Sequence, residues 1–251
     1  MTVQNFKNKA KIVILAFSGM IVYTSLYLCF SCLFGERVLA KFVTCIICTI
    51  VGELYIKTVL GYPAVEGDIS RRFISASCVA TILFVITSFF TTSYILTAGL
   101  QDAAYASTIM AKMDLPTGWH ILSLIISVVL MPITEEIIFR GFMYRQLVTI
   151  NKPLAIIFSS MFFAIWHGTI IHIYPALLGG VIFACLYDKT NKLRYSIVAH
   201  MMFNAVTTLL GIFKYPNVFG TMWFVIVVNV VCVVSIVLLF RTKTHTTVER
   251  A

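Results

Sequence analysis

The sequence predicts an all-α, polytopic transmembrane bundle of about eight spans. Of its 251 residues, 60% are hydrophobic and only 12% charged, and the mean hydropathy is +0.96. The apolar residues also fall into runs long enough to cross a hydrocarbon core of about 30 Å. A net charge of +9 in a soluble chain would suggest a nucleic-acid partner. Here the basic residues lie in the short segments between runs, where they serve as topology signals and contacts to lipid headgroups. Membrane lipids are therefore expected partners, and nucleic acid is not.

Lys7, Lys9 and Lys11 precede an apolar run over residues 12–34. It is too long for a signal-peptide core and lacks a small-residue cleavage site, so it is expected to stay as the first span. The second span covers about 39–60, with Glu53 reading as a helix-end pair to Lys57, and the third about 73–98. Residues 99–118 turn polar and form the longest loop or a short surface helix. A fourth span starts near Trp119; Pro132 within it lacks the helical N–H and should free a carbonyl and kink the helix, opening a polar cavity. The remaining spans cover about 153–167, 170–187, 195–212 and 219–240, with Gly179 and Gly180 offering close helix contact in the sixth. The eighth is almost purely apolar and reads as an anchor followed by a basic tail.

Seven cysteines lie in or beside these runs, two pairs of them, Cys29/Cys32 and Cys45/Cys48, at CxxC spacing. In lipid-buried helices they read as small packing residues rather than metal or disulfide sites. Eight spans put both termini on one side. That side would hold 14 of the lysines and arginines, against Arg37, Lys41, Lys112 and Lys214 opposite, so both termini should be cytoplasmic. The whole chain, 1–251, reads as one integral membrane domain, multi-pass in a cell membrane, with a motif-bearing core over about 119–205.

Glu135, Glu136 and Arg140 sit inside the fourth span. A charge at the bilayer centre costs roughly 2.5–3.5 kcal/mol even on the lenient scale, so a functional site is the default reading. Glu136 and Arg140 share a helix face, and Glu135 points about 100° away, so one carboxylate can be neutralised while the other faces a cavity. Later spans add His167, and His200 with Asn204 at i and i+4. Singly, these read as a structural ion pair and hydrogen-bonding helix contacts. Together, a carboxylate, two imidazoles and an amide on three helices are parts for activating water and stabilising an oxyanion. His167 lies about 20 Å along its span but His200 only about 9 Å along its own, so the helices must be offset or tilted to bring them together.

Glu135-Glu136-Ile137-Ile138-Phe139-Arg140, Phe163 to His167, and His200 to Asn204 match in order the three motifs of the CPBP (CAAX protease and bacteriocin-processing, or Abi) intramembrane proteases. The chain resembles that family, which includes the type II CAAX prenyl endopeptidases, over about Trp119 to Ala205. The resemblance implies a multi-pass endopeptidase in which Glu135 activates water, His167 orients it, and His200 with Asn204 stabilises the oxyanion. Glu136 and Arg140 would support the site, Arg140 by holding a carboxylate ionised and fixed. It leaves the cofactor open: metal-free chemistry is preferred, and zinc, if used, would sit on Glu135, His167 and His200. The compact chain resembles bacterial members, for which a peptide precursor or leader peptide is a better-matched substrate than a prenylated CAAX protein. A noncatalytic immunity or regulatory partner protein of the same family is the alternative, and a proton-coupled transporter ranks last.

Overall fold

The computed structural model describes residues 3–61, 69–97, 117–212 and 222–242. Its helices are α1, Val3–Phe34; α2, Arg37–Tyr55, continued by the wider π turns of Ile56–Leu60; and α3, Arg71–Thr97. The composite α4 begins at Thr117–Ile125 and ends at Arg145–Leu147. After it come α5, Lys152–Trp166; α6, Ile170–Thr190; α7, Leu193–Ile212; and α8, Met222–Arg241. Most of the expected 99–118 loop and the tail beyond Thr242 lie outside the described residues.

Six of these helices, α1, α2, α3, α4, α6 and α8, are long and apolar enough to cross a membrane, and the protein is a multi-pass membrane protein. α5 is shorter, at 15 residues, and α7 carries the polar residues of the site. On α7, Val198, Met202, Val206 and Leu209 form an exposed apolar stripe, while Ser196, Ala199 and His200 are buried. That is the pattern of a helix whose partner outside is lipid rather than water. The ends of α2, α4, α6 and α8 meet at one end of the bundle. There the Arg145 guanidinium donates to the Leu60 carbonyl at 2.9 Å and to that of Gly61, Lys152 pairs with Asp188 at 2.8 Å, and Lys189 reaches the Thr242 carbonyl at 3.3 Å.

Small residues set the helix spacing. A Cβ on Gly52 would stand 2.6 Å from Ile137, and one on Gly141 2.6 Å from Ile56, so α2 and α4 approach at both points. Between them the Thr134 hydroxyl lies 3.0 Å from that of Thr49 and 2.8 Å from the Leu130 carbonyl, fastening the motif turn to α2. Gly179 and Gly180 do for α6 what their spacing suggests: a Cβ would meet Phe84 of α3 at 2.6 Å and the Ser160 backbone of α5 at 3.0 Å, respectively. Instead of a simple kink, Pro132 sits in a short α turn, Met131–Glu136, between two π stretches, Ile126–Leu130 and Ile137–Tyr144. π turns lengthen the hydrogen-bond register by one residue and rotate the side chains that follow. The cysteines of the two CxxC spacings split by face: Cys45 and Cys48 are buried beside α4, and Cys29 and Cys32 are exposed on α1.

Candidate active site

α4 brings its charges into the bundle centre, and each is met by a partner from another helix. Arg140 donates through Nη1 to Glu136 Oε1 at 3.0 Å, both side chains being fully buried. Its Nη2 donates to the Gly180 carbonyl at 2.8 Å, and its guanidinium lies 4.7 Å above the Phe163 ring and 5.5 Å from that of Phe183. A planar, weakly hydrated cation held by a carboxylate, a carbonyl and two aromatic faces is the form in which an arginine can be buried. Glu136 Oε2 and Arg140 Nε have no partner among the described residues.

Glu136 Oε1 also meets His200 Nδ1 at 3.0 Å. A carboxylate can only accept, so this contact places a proton on Nδ1 and turns Nε2 the other way. The His200 ring stacks on Phe183 at 4.7 Å and meets the Phe163 ring edge-on at 5.4 Å. Its Nε2 stands 3.6 Å from Glu135 Oε2, beyond hydrogen-bond reach. The two acidic neighbours thus flank one imidazole, Glu136 fixing it and Glu135 facing its free edge.

His167 ends α5, and the left-handed Gly168, φ +70°, turns the chain directly after it. Its Nδ1 lies 2.8 Å from the Phe163 carbonyl. That oxygen accepts only, so the neutral ring keeps its lone pair on Nε2. Asn204 Nδ2 donates to the Ser127 carbonyl of α4 at 2.9 Å. The Phe163 ring stands 4.9 Å from His167 and 5.4 Å from His200.

A cavity of about 410 Å³ opens between α3, α4, α5, α6 and α7, with His167, His200, Asn204 and Ser127 among the residues lining it. Phe84, Phe163, Phe183 and Phe203 supply much of the remaining wall. Glu135, expected to face a cavity, is 5% exposed and is not among the residues lining this one; its Oε2 stands at the His200 Nε2 edge, 3.6 Å away. Among the described residues no three His, Cys, Asp or Glu side chains gather where one ion could be held. Glu135, His167 and His200 as arranged do not fit zinc.

Sequence reasoning named Phe163 only as part of a spacing. The structure gives it three tasks: its carbonyl orients His167, its ring covers Arg140, and its edge meets His200. The carbonyls of Ser127 and Gly180 were not legible as partners, because a backbone acceptor leaves no mark on residue type. The position of Ser127, five residues before Pro132, is the signal that could have found the first.

Residues 117–206 match the family model described as Type II CAAX prenyl endopeptidase Rce1-like. Over 96 residues the chain is 31% identical to an "Uncharacterized protein" of Mycoplasma capricolum, covering 37% of this chain and 28% of that protein. Over 97 residues it is 34% identical to the "Putative membrane peptidase YdiL" of Bacillus subtilis, covering 38% of this chain and 40% of that protein. The matched region thus spans less than half the length of either relative. No solved structure matches. The match covers α4 to α7 and all three motifs, and it is over this region that the chain is similar to the CPBP, or CAAX protease, family.

Proposed function

We propose that the protein is an intramembrane endopeptidase that hydrolyses a peptide bond with water activated by Glu135, without a covalent enzyme intermediate. The observation that carries this reading is the buried array Arg140, Glu136, His200 and Glu135 beside a cavity that His167 and Asn204 also line. Glu135 and the His200 Nε2 edge, 3.6 Å apart, are too far from each other to use up one another's hydrogen-bonding capacity, which leaves both for a third group. In the proposed reaction Glu135 takes a proton from water and the oxygen attacks the scissile carbonyl; as the tetrahedral intermediate collapses, the C–N bond breaks and Glu135 returns that proton to the leaving amine nitrogen. His167 Nε2 accepts a hydrogen bond from that water and orients it. The developing oxyanion is met by the Asn204 N–H that Ser127 does not use, and by His200 Nε2 when that nitrogen also carries a proton. Glu136 and Arg140 act through His200, holding its ring and proton in place. The substrate is a peptide or protein segment that enters the membrane, with peptide precursors favoured over prenylated CAAX proteins.

Glu135→Gln keeps the shape of the side chain and removes the base. In cells and in proteoliposomes, mass spectrometry of released peptides should show products of the wild type falling by about 100-fold or more in the variant, at equal membrane abundance. Products that persist undiminished would sink the mechanism. A cellular phenotype that survives with no product difference would turn the reading toward a noncatalytic partner protein.

A further inference from the structure

We infer that Pro132 is a positioning residue for Asn204: by having no N–H, it leaves the Ser127 carbonyl to the Asn204 amide and so aims the rest of that side chain into the cavity. In an ordinary α-helix the Ser127 carbonyl would accept from the amide of Met131, four residues on. Here the turns over Ile126–Leu130 are π-helical, and the Met131 N–H bonds to the Ile126 carbonyl instead. The same register directs the Ser127 carbonyl to position 132. That position is proline, which has nothing to donate.

The carbonyl is left within a membrane-spanning segment, where an unmet backbone group is costly. The hydroxyl of Ser127 does not help, since it donates to the Ser123 carbonyl at 2.8 Å. Asn204 Nδ2 takes the place, at 2.9 Å. Because a carbonyl only accepts, the nitrogen of the amide must face it, and this one bond fixes where the second N–H and Oδ1 point. Ser127, His200 and Asn204 all line the cavity. Asn204 and His200 lie one helical turn apart, so the bond also pins the face of α7 that carries His200.

The structural half of this inference needs no catalysis; only its effect on turnover rests on the protease reading. The test separates the missing N–H from the proline ring by placing either alanine or its ester analogue, lactic acid, at position 132. Alanine restores an N–H, and the ester does not. In equilibrium unfolding of the purified protein in mixed micelles, Asn204→Ala should lower the folded-to-unfolded ratio about tenfold with proline or the ester at 132, because an acceptor within the membrane-spanning segment is orphaned. With Pro132→Ala the same change should lower it by about twofold or less, since the new amide takes over the carbonyl. An equal loss from Asn204→Ala in all three backgrounds overturns the inference. So does an ester variant that fails to fold, because the ring would then be what matters. Under the protease reading, Pro132→Ala lowers kcat with little change in KM, and the ester restores it. If no proteolysis is ever observed, the unfolding comparison still decides.

Discussion

α4 and α8 are both apolar enough to cross a membrane, with mean hydropathies of 2.1 and 3.0, yet 44% of the first is buried in the bundle and only 22% of the second. α8 turns Trp223, Val227, Val230, Val234 and Leu238 outward and seats Cys232, Ser235, Ile236 and Leu239 inward. α4 carries Glu135, Glu136 and Arg140 to the centre and finds a partner for each. Between helices in lipid there is no hydrophobic driving force, because the lipid is as apolar as the side chains. Hydropathy therefore tells which segments enter the membrane, and polar and small residues tell which of them enter the bundle.

If that is what distinguishes the two helices, the largest loss should follow from breaking the buried pair. Arg140→Met leaves the Glu136 charge without its cation and the Gly180 carbonyl without its extra donor, and should cost about 3–5 kcal/mol. Detergent-titration unfolding checks it. Adding Glu136→Gln to Arg140→Met should recover part of the loss, because the orphaned charge goes with it. A cost below about 1 kcal/mol for the single change would mean that the pair does not hold α4 in place.

A smaller effect should come from Gly180→Ala. The new Cβ would stand 3.0 Å from both Cα and Cβ of Ser160 and 3.3 Å from the Phe163 ring. A backbone atom cannot swing aside as a side-chain tip can, so α5 and α6 must part, at about 1–3 kcal/mol. Parting them also moves the carbonyl on which Arg140 rests. The change should therefore lower any peptide release as well as stability; wild-type stability in the variant would show that α5 yields freely there.

How much of this was legible follows from the same contrast. The order and extent of the helices were legible because apolar run length is a property of the sequence alone. The site residues were legible because charges and imidazoles in apolar runs need a reason. The pairing of Glu136 with Arg140 follows from i, i+4 spacing and holds in the fold. The approach of Glu135 to the His200 Nε2 edge did not follow, because it depends on how α4 and α7 pack. The meeting of His167 with His200 across Phe163 did not follow either, since the relative depth of two helices is set by packing between them.

Asn229 offers the smallest and sharpest contrast, since it is an amide in the helix read as a plain anchor. Its Nδ2 donates to Thr91 Oγ1 of α3 at 3.1 Å and to the Val225 carbonyl at 2.7 Å, and its Oδ1 accepts from the Tyr174 hydroxyl of α6. Asn229→Leu removes all three bonds but gains an apolar side chain in an apolar setting. Interhelical hydrogen bonds in membranes average about 0.6 kcal/mol, because the separated helices find other partners. A loss of that order, several-fold below that of Arg140→Met in the same titration, is expected. The reason lies in the reference state: an uncharged amide on a separated helix can turn back to its own backbone, whereas a buried carboxylate without its cation cannot. A loss from Asn229→Leu as large as that from Arg140→Met would mean that α8 is held as α4 is, by a polar network that its hydropathy conceals.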